Sequence, residues 1–273
     1  MEFRFAWDHP VSEAEEHEHK FLVDPSSAQS FILRLNGRLA PEPFDGANPI
    51  RYTRTTYLDT PEGGYLRTSG TGFVRRVRVR QYACAPNLSS TPHLTGENFL
   101  ELKETRGKWR RKARWSASAI QIIQWLQGRT PPDMVDGCAD ESFRESLRTL
   151  YEHLRRGWLL PCLTTWYRRS QWRACEGTVR LTLDHDVQFS APVSLLAPGA
   201  APEPALVKES LGLSILELKY VGDPPPWLSS AMCNLEEAQG FSKFGRGMQA
   251  VLGRFAASIA ANRASPNEGA PEA

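Results

Sequence analysis

The stretch Arg76-Val-Arg-Val-Arg80 carries three arginines on alternate residues, with valines between them. Side chains of a β-strand point alternately to the two faces of a sheet, so this spacing predicts a strand with one cationic and one aliphatic face. Arginines at i, i+2 and i+4 repel one another, and like charges on neighbouring strands destabilise a sheet. The segment therefore predicts an anionic partner nearby, from other strands or from a ligand.

The same alternation of charged and apolar residues recurs in segments 16–21, 100–103, 110–115, 179–184 and 216–220, and Tyr167 and Arg169 share a face. The basic members of these faces are Lys20, Arg76, Arg78, Arg80, Lys103, Arg110, Lys112, Arg114, Arg169, Arg180 and Lys219. The acidic members are Glu16, Glu18, Glu101, Asp184 and Glu217. Basic residues exceed acidic ones by six on these faces, whereas the whole chain of 273 residues has a net charge of +2. Positive charge is therefore concentrated on one set of strand faces.

These charged faces allow two arrangements. In the first, they point to solvent and the aliphatic faces pack on a core. In the second, the strands curl into a tunnel with the charged faces inside and the aliphatic faces outside, under amphipathic helices. A charged interior needs carboxylates, water or a bound polyanion to offset its cost. Arginine and lysine suit phosphate oxygens and carboxylates suit a divalent metal, so a chain of phosphates with a metal is the expected ligand.

Composition argues against several other classes of protein. Hydrophobic residues make up 41% and charged residues 23% of the chain, which is typical of a globular protein. We expect no transmembrane segment and no secretory signal. The five cysteines lack CxxC spacing, so we expect free thiols and a cytoplasmic location. Nothing resembles a reading helix or a base-stacking platform, so we expect no nucleic-acid partner.

Helical spacing of apolar residues predicts four helices, over residues 26–39, 118–126, 139–154 and 241–259. A stretch rich in Pro and Ala, 192–204, predicts a loop. No linker divides the chain, so we expect a single domain over residues 1–260. Residues 261–273 have no large apolar side chain and are expected to form a disordered tail.

Several of these segments resemble a known family. Glu16-His-Glu-His-Lys20 fits the ExExK signature that opens the triphosphate tunnel metalloenzymes, the CYTH-like superfamily. Later segments are more specifically similar to the VTC domain, the polyphosphate polymerase branch. The matching runs are Thr55-Thr-Tyr-Leu-Asp59, Arg76-Val-Arg-Val-Arg-Gln-Tyr82, Phe99-Leu-Glu-Leu-Lys103, Tyr167-Arg-Arg169, Val179-Arg-Leu-Thr-Leu-Asp184, Ile215-Leu-Glu-Leu-Lys219 and Ser242-Lys-Phe244. They follow the family's order over residues 14–255.

The resemblance implies an α+β fold, an antiparallel eight-stranded β-tunnel with flanking amphipathic helices. Members of this branch bind ATP and inorganic polyphosphate, and they transfer the ATP γ-phosphate to a growing chain with manganese or a similar divalent ion such as magnesium. The resemblance implies phosphate contacts from Lys20, Arg78, Arg80, Lys103, Lys112, Arg169, Arg180 and Lys243, hydrogen bonds from Tyr167 and Ser242, and metal binding by Glu217. Strand alternation alone adds Arg76, Arg110, Arg114 and Lys219 as substrate contacts. It also adds Glu16, Glu18 and Glu101 as candidate metal ligands.

Three functional classes remain open. Hydrolytic tunnel enzymes carry a second carboxylate pair in a late strand, where this chain has Glu217-Leu-Lys219, and that difference favours a polymerase. The complete pair of Glu16 and Glu18 points instead to a hydrolase of triphosphate or nucleotide, or a cyclase. The third class is a non-catalytic polyphosphate-binding protein. No membrane helix or phosphate-sensing region of the eukaryotic transport machinery is visible, so a standalone enzyme is expected.

Some of the candidate site residues also have a purely structural interpretation. Glu217 and Lys219 would then belong to a cross-strand salt bridge. Glu16 and Glu18 would only neutralise neighbouring arginines, and Asp184 would be a turn or pairing residue. Ser242 would cap the last helix, because Ser is a preferred N-cap, although a helix N-terminus also favours phosphate.

Overall fold

A computed structural model of the chain describes residues 16–35, 37–42, 49–67, 73–107, 109–136, 138, 140–174, 176–197 and 207–264. The strands are β1 Glu16–Val23, β2 Leu39–Pro41, β3 Ile50–Asp59, β4 Phe73–Ala85, β5 His93–Arg106, β6 Trp109–Ala117, β7 Leu160–Ala174, β8 Val179–Ser190, β9 Val207–Ser210 and β10 Ser214–Val221. The helices are α1 Pro25–Arg34, α2 Gly64–Arg67, α3 Ala119–Leu126, α4 Glu141–Arg155, α5 Pro226–Met232 and α6 Lys243–Ala264.

The strands form one antiparallel sheet. Eight of them follow in the order β1-β10-β8-β7-β3-β4-β5-β6, and the short strands β2 and β9 pair with β7 and β8. The two strands at the ends of this order, β1 and β6, are brought together by an ion pair in which Arg110 Nη1 lies 2.5 Å from Glu18 Oε2. The sheet therefore curls on itself, and the predicted antiparallel eight-stranded tunnel is confirmed.

The strand register places the charged faces inside this tunnel. Glu101 lies opposite Arg78 on one side and Arg114 on the other, and directly opposite residues share a face of the sheet. Glu101 is 0% exposed and Asp184 is 1% exposed. A solvent-facing sheet would leave these carboxylates in water, so the tunnel arrangement is confirmed and the solvent-facing one is wrong.

The aliphatic faces lie on the outside, as expected, and two apolar clusters cover them. One joins β4, β5 and β6 to helices α3 and α4, with Val79, Leu102 and Leu150 among its members. The other joins β1, β8 and β10 to α1 and α5, with Phe31 and Leu218 among its members. Because both clusters lie outside the barrel, the charged interior needs no apolar core of its own.

Helix α6 packs over part of the lumen through a third cluster, here called the α6 cluster. Its buried members are Tyr57, Leu163, Tyr167, Val187, Phe189, Ile215, Phe244, Met248 and Ala250. Leu163 lies opposite Tyr57 in the register, two residues along from the lumenal pair Thr55 and Thr165. Where α6 covers the lumen, apolar side chains therefore lie beside the charged ones.

Three helix predictions agree with the structure to within a few residues, and one is wrong at its end. The helix expected over 26–39 stops at Arg34, and Leu39 instead begins β2. Leu35 is the C-cap, and Gly37 then adopts a φ of +82°, which a glycine accommodates without strain, in the turn before β2. At the other terminus α6 continues to Ala264, past the expected start of the tail at residue 261, and residues 265–273 lie outside the described part.

Two buried charged residues interrupt the aliphatic outer face. Arg54 is 1% exposed and donates to Gln81 Oε1 at 2.7 Å and to the Leu195 and Ala197 carbonyls, which anchors the described part of the predicted 192–204 loop. Glu104 accepts a hydrogen bond from Ser146 of α4. Neither arrangement follows from strand alternation. No helix in the described residues is both long and apolar enough to cross a membrane.

Candidate active site in the tunnel

Three lumenal carboxylates organise the cations of the tunnel. Glu101 on β5, Asp184 on β8 and Glu18 on β1 each hold two or more basic side chains. These groups are called the Glu101, Asp184 and Glu18 clusters. Side chains that lie far apart in the chain thus meet on the shared face that strand alternation predicted.

The Glu101 cluster contains four cations from β4 and β6. Glu101 Oε2 lies 2.7 Å from Arg78 Nε and 3.9 Å from Arg80 Nε. Glu101 Oε1 lies 3.4 Å from Lys112 Nζ and accepts a 2.7 Å hydrogen bond from Arg114 Nε. Burial alone raises the pKa of Glu101, but the charges of Arg78, Arg80 and Lys112 outweigh burial and hold the pKa well below its usual range. Glu101 is therefore a permanent anion, and it cancels only part of the charge around it.

The Asp184 cluster joins the sheet to α6. Arg169 binds Asp184 with two hydrogen bonds, Nε to Oδ1 at 2.6 Å and Nη2 to Oδ2 at 2.8 Å. Lys243, the first residue of α6, places its Nζ 2.5 Å from Asp184 Oδ2 and 4.8 Å from the centre of the Tyr167 ring. Burial raises the pKa of Asp184, but Arg169 and Lys243 outweigh it, so the pKa lies well below the usual range. The cluster fixes the N-terminus of α6 against the lumen.

The Glu18 cluster closes the seam between β1 and β6. Glu18 binds Lys20 and Arg110, and its Oε2 lies 3.2 Å from Lys219 Nζ. Burial raises the pKa of Glu18, but the charges of Lys103, Lys219 and Lys20 outweigh it and the pKa is lowered. The side chain of Arg110 is 36% exposed, so this cluster lies nearer to solvent than the other two.

Two groups in the lumen have pKa values displaced toward neutrality. Burial lowers the pKa of Lys103 to about 8, although the charge of Glu18 partly opposes that shift. Burial raises the pKa of Tyr82, but Arg80, Arg114 and Arg51 outweigh it and bring the pKa to about 8. Raising the pH through 8 therefore removes a positive charge from the lumen and adds a negative one.

Glu217 differs from the other lumenal carboxylates. It is partly exposed, lies opposite Lys20 and Thr182, and has, among the described residues, no ion pair like those of the three clusters. No group of three or more His, Cys, Asp or Glu in that part of the chain could hold a metal ion. Mg²⁺ and similar ions are often held by one or two carboxylates together with substrate phosphates. Glu217 fits such a site, in which phosphates complete the ligands. The described residues do not fit a metal site made of protein ligands alone.

The N-terminus of α6 also presents hydrogen-bond donors. Ser242 caps the helix, because its hydroxyl accepts a 3.0 Å hydrogen bond from the Gly245 amide and its carbonyl accepts one from the Arg246 amide. The capping interpretation of Ser242 therefore matches the geometry. The cap also keeps Lys243 in the first turn, where the helix dipole favours an anion.

Other predicted site residues lie outside the three clusters. Arg76 donates to the Tyr65 and Arg75 carbonyls and lies over the Phe244 ring at 4.7 Å, so it faces the α6 cluster. Arg180 is exposed, and it lies in register with Lys219 and Arg173. For Glu16 the structure describes only the backbone, which pairs with Val221, and its side chain lies outside the described part.

Sequence reasoning did not select two residues that help to build the lumen. Arg51 on β3 lies opposite Arg169, and its guanidinium is 4.1 Å from the centre of the Tyr82 ring. The Tyr82 hydroxyl accepts a 3.3 Å hydrogen bond from Arg114 Nη2. Tyr82 shares the parity of Arg78 and Arg80, so alternation alone could have placed it in the lumen.

One family model and several solved structures are similar to this chain. The VTC domain family model matches residues 15–252. No curated protein matches the chain. Among solved structures, a candidate adenylate cyclase of Bacillus halodurans is 15% identical, with a TM-score of 0.48, over 85% of this chain and 96% of that chain. PH1819 protein of Pyrococcus horikoshii is 13% identical, with a TM-score of 0.43, over 88% and 99%. HpAC1 of Hippeastrum, described as having a dominant triphosphatase activity, is 14% identical, with a TM-score of 0.45, over 85% and 94%.

The family match includes β1 and β6, the two strands at the ends of the sheet order. It begins at residue 15, just before β1, and ends at residue 252 inside α6, so it takes in every strand and all three clusters. The chain belongs to the VTC domain family.

Proposed function

We propose that this protein is a metal-dependent phosphotransferase that transfers the γ-phosphate of ATP to a growing inorganic polyphosphate chain. One observation carries the proposal: the lumen brings cations from at least seven strands and α6 around few carboxylates, so it retains a surplus of positive charge in a partly buried space. A linear polyanion of phosphates fits such a space, since each phosphate oxygen can replace a carboxylate as the partner of an arginine or lysine.

The chain's own residues supply alignment and charge neutralisation. Arg78, Arg80, Lys112 and Arg114 can contact phosphates without leaving Glu101, because each guanidinium, like the ammonium of Lys112, carries several N–H groups. Lys243 and Arg169 do the same from the other side of the lumen. The terminal oxygen of the acceptor chain forms the new bond to the γ-phosphorus while the bond from that phosphorus to ADP breaks. No protein nucleophile is required, which agrees with the chemistry of phosphoryl transfer.

Glu217 is the residue proposed to hold a divalent ion, manganese or magnesium, on the phosphates. When bound, such an ion supplies neutralisation of the phosphate charge. Glu18, Glu101 and Asp184 are committed to cations, so among the described lumenal carboxylates Glu217 is the one best able to take the ion. Its position opposite Lys20 also places it beside a proposed phosphate contact.

Glu217→Gln tests this proposal. The variant is expected to lose at least about 100-fold in manganese-dependent ADP formation from ATP and polyphosphate, because one metal-binding carboxylate is removed. It should bind inorganic tripolyphosphate as tightly as the unaltered protein in the absence of metal. Glu209→Gln is the matched control, since Glu209 lies on the short strand β9, pairs with Arg246 of α6 and belongs to none of the three clusters. Full activity in Glu217→Gln would contradict the metal assignment.

A non-catalytic polyphosphate-binding protein is the second candidate. The observation that favours it is that three of the described lumenal carboxylates are already paired with cations, which leaves little acidic ligation for a metal. The same assay separates the two candidates. A binder would retain tripolyphosphate but form no ADP with any divalent ion.

A further inference from the structure

Neutral side chains of the lumen hold buried oxygens that have no hydrogen-bond partner within the described protein. These oxygens are Thr55 Oγ1, Thr165 Oγ1, Thr182 Oγ1 and Gln171 Oε1. Folded proteins pair nearly all buried polar groups, and leaving one unpaired costs about 1–3 kcal/mol. Four such oxygens on one set of strand faces therefore indicate a place built for a polar ligand.

Two of these residues form a pair. Thr55 on β3 lies directly opposite Thr165 on β7, and they are 1% and 0% exposed. Thr55 also lies opposite Arg80 on β4, whose Nε is likewise without a hydrogen-bond partner in the described residues. Two hydroxyl groups and a guanidinium edge thus meet on neighbouring strands of the lumen.

The pair lies where charged and apolar groups of the lumen meet. Thr165 lies opposite Phe189, and the next lumenal pair along β3 and β7 is Tyr57 with Leu163, and these three residues belong to the α6 cluster. Charged groups continue on β4, because Arg80 lies opposite Thr55 and Arg78 lies opposite Tyr57. A phosphate chain that contacts Arg78 and Arg80 therefore passes beside the two hydroxyls.

The chemistry of the pair suits a phosphate group of such a chain. A hydroxyl donates one hydrogen bond and rotates freely to aim it. The neighbouring Arg80 offers only donors, so the ligand must be rich in acceptors. Each phosphate of such a chain presents two or three non-bridging acceptor oxygens. Neutral donors can bind these oxygens without adding to the repulsion among the lumenal cations.

We propose that Thr55 and Thr165 form a neutral subsite that binds a phosphate group of a bound triphosphate or polyphosphate. This inference rests on the proposed function, because it requires that the lumen binds a phosphate chain. It adds to that function two substrate-binding residues that carry no charge.

The test is the double variant Thr55→Val/Thr165→Val, which keeps side-chain shape and removes both hydroxyls. Its affinity for inorganic tripolyphosphate, measured by titration calorimetry, is expected to fall at least tenfold. Its melting temperature without ligand should be equal or higher, because two buried oxygens without protein partners are removed. Thr55→Ser/Thr165→Ser retains the hydroxyls and should retain most of the affinity.

Thr56→Val is the matched control. Thr56 is the next residue on β3 but faces outward, where its hydroxyl lies 3.3 Å from that of Thr164. This variant should lose some stability and keep its tripolyphosphate affinity.

The outcomes separate this inference from the proposed function. If the unaltered protein binds tripolyphosphate and the double valine variant binds it equally well, the subsite is wrong and the proposed function stands. A loss of affinity that accompanies a lower melting temperature would assign the hydroxyls a structural role and overturn the subsite. If the unaltered protein does not bind tripolyphosphate, both proposals fail.

Discussion

Single residues in the lumen show how carboxylates prepare the cations for a ligand. Asp184 holds Arg169 through both of its oxygens and holds Lys243 at the same time. Without that anion, two cations would lie close together with little water around them. The carboxylate therefore stabilises the ligand-free protein and, under the proposed function, competes with phosphate for the same donors.

Asp184→Asn separates these two effects. We expect the free energy of unfolding to fall on the order of 3 kcal/mol, because removing one partner of a buried ion pair leaves uncompensated charge. Tripolyphosphate should raise the melting temperature of the variant by more than that of the unaltered protein, since phosphate replaces the lost anion. Thermal melts with and without ligand measure both effects.

Asp186→Asn is the control for that experiment. Asp186 lies on the same strand but is exposed, and it pairs with Arg168 at 3.2 Å. An exposed pair contributes about 0–1 kcal/mol, so little change is expected in either melt. A smaller ligand-induced shift in Asp184→Asn than in the unaltered protein would show that Asp184 orients the cations for phosphate.

The charge of the lumen also depends on pH through two residues. Lys103 loses its proton with a pKa of about 8, below its usual 10.5, and Tyr82 loses its proton at about 8, below its usual 10.0. Between pH 7 and 9 the lumen therefore becomes more negative by up to two charges. Tripolyphosphate affinity is expected to fall about tenfold or more over this range. A lost attraction equivalent to one pK unit is about 1.4 kcal/mol of binding free energy, which is a factor of about ten in affinity.

Stability should change in the opposite direction over the same range. Both groups bind fewer protons in the folded than in the unfolded state, so their contribution to the free energy of unfolding rises with pH above 8 and is lost as the pH falls through 8. Calorimetry and melting curves at pH 7, 8 and 9 measure the two trends. Lys103→Arg/Tyr82→Phe should have a nearly flat affinity profile. A slope as steep as that of the unaltered protein would exclude these two groups as its cause.

At the scale of elements, helix α6 connects packing to the site. Its first residue, Lys243, reaches Asp184, and one turn later Gly247 lies against Leu163 and Phe189. A Cβ at Gly247 would lie 2.5 Å from Leu163 Cδ2 and 2.8 Å from Phe189 Cδ1. The close approach of helix and strand therefore requires glycine, and it fixes the position of the lysine.

Gly247→Ala is expected to lower the free energy of unfolding by about 1–3 kcal/mol, because the added methyl overpacks a buried contact. It should also weaken tripolyphosphate binding by displacing Lys243. Gly253→Ala is the matched control in the same helix, since nothing lies within 4 Å of a Cβ there. That variant should gain up to about 1 kcal/mol from helix propensity. Equal stability of the two variants in denaturant melts would contradict the close packing of α6.

The elements also show what the sequence could and could not predict. Alternation of Arg78 and Arg80 with valines placed β4 correctly, because the two-residue period of a strand is a local property. That Arg114 and Arg78 share Glu101 depends on the register of three strands, which is not local. Thr55 escaped notice because a neutral hydroxyl on a strand resembles an ordinary polar position. The apolar spacing continues to Leu39 and did not reveal that α1 ends at Arg34 and that the chain then turns through Gly37 into β2.

At the scale of the whole molecule, charge is sorted into layers. The net charge is only +2 over the chain, yet cations crowd the lumen while apolar clusters separate it from the surface helices. Arg110 and Arg180 are the more exposed members, so the field of the lumen reaches solvent near them. Such a focused field draws in a polyanion and weakens with added salt.

The most direct test of this account is the product formed from ATP. The purified protein is incubated with ATP and manganese, with and without a short polyphosphate primer, and the products are resolved by gel electrophoresis and phosphorus NMR. The account predicts ADP together with phosphate chains longer than the primer. Free phosphate or pyrophosphate without chains would contradict it in favour of a hydrolase or cyclase, and tight polyphosphate binding without turnover would contradict it in favour of a binding protein.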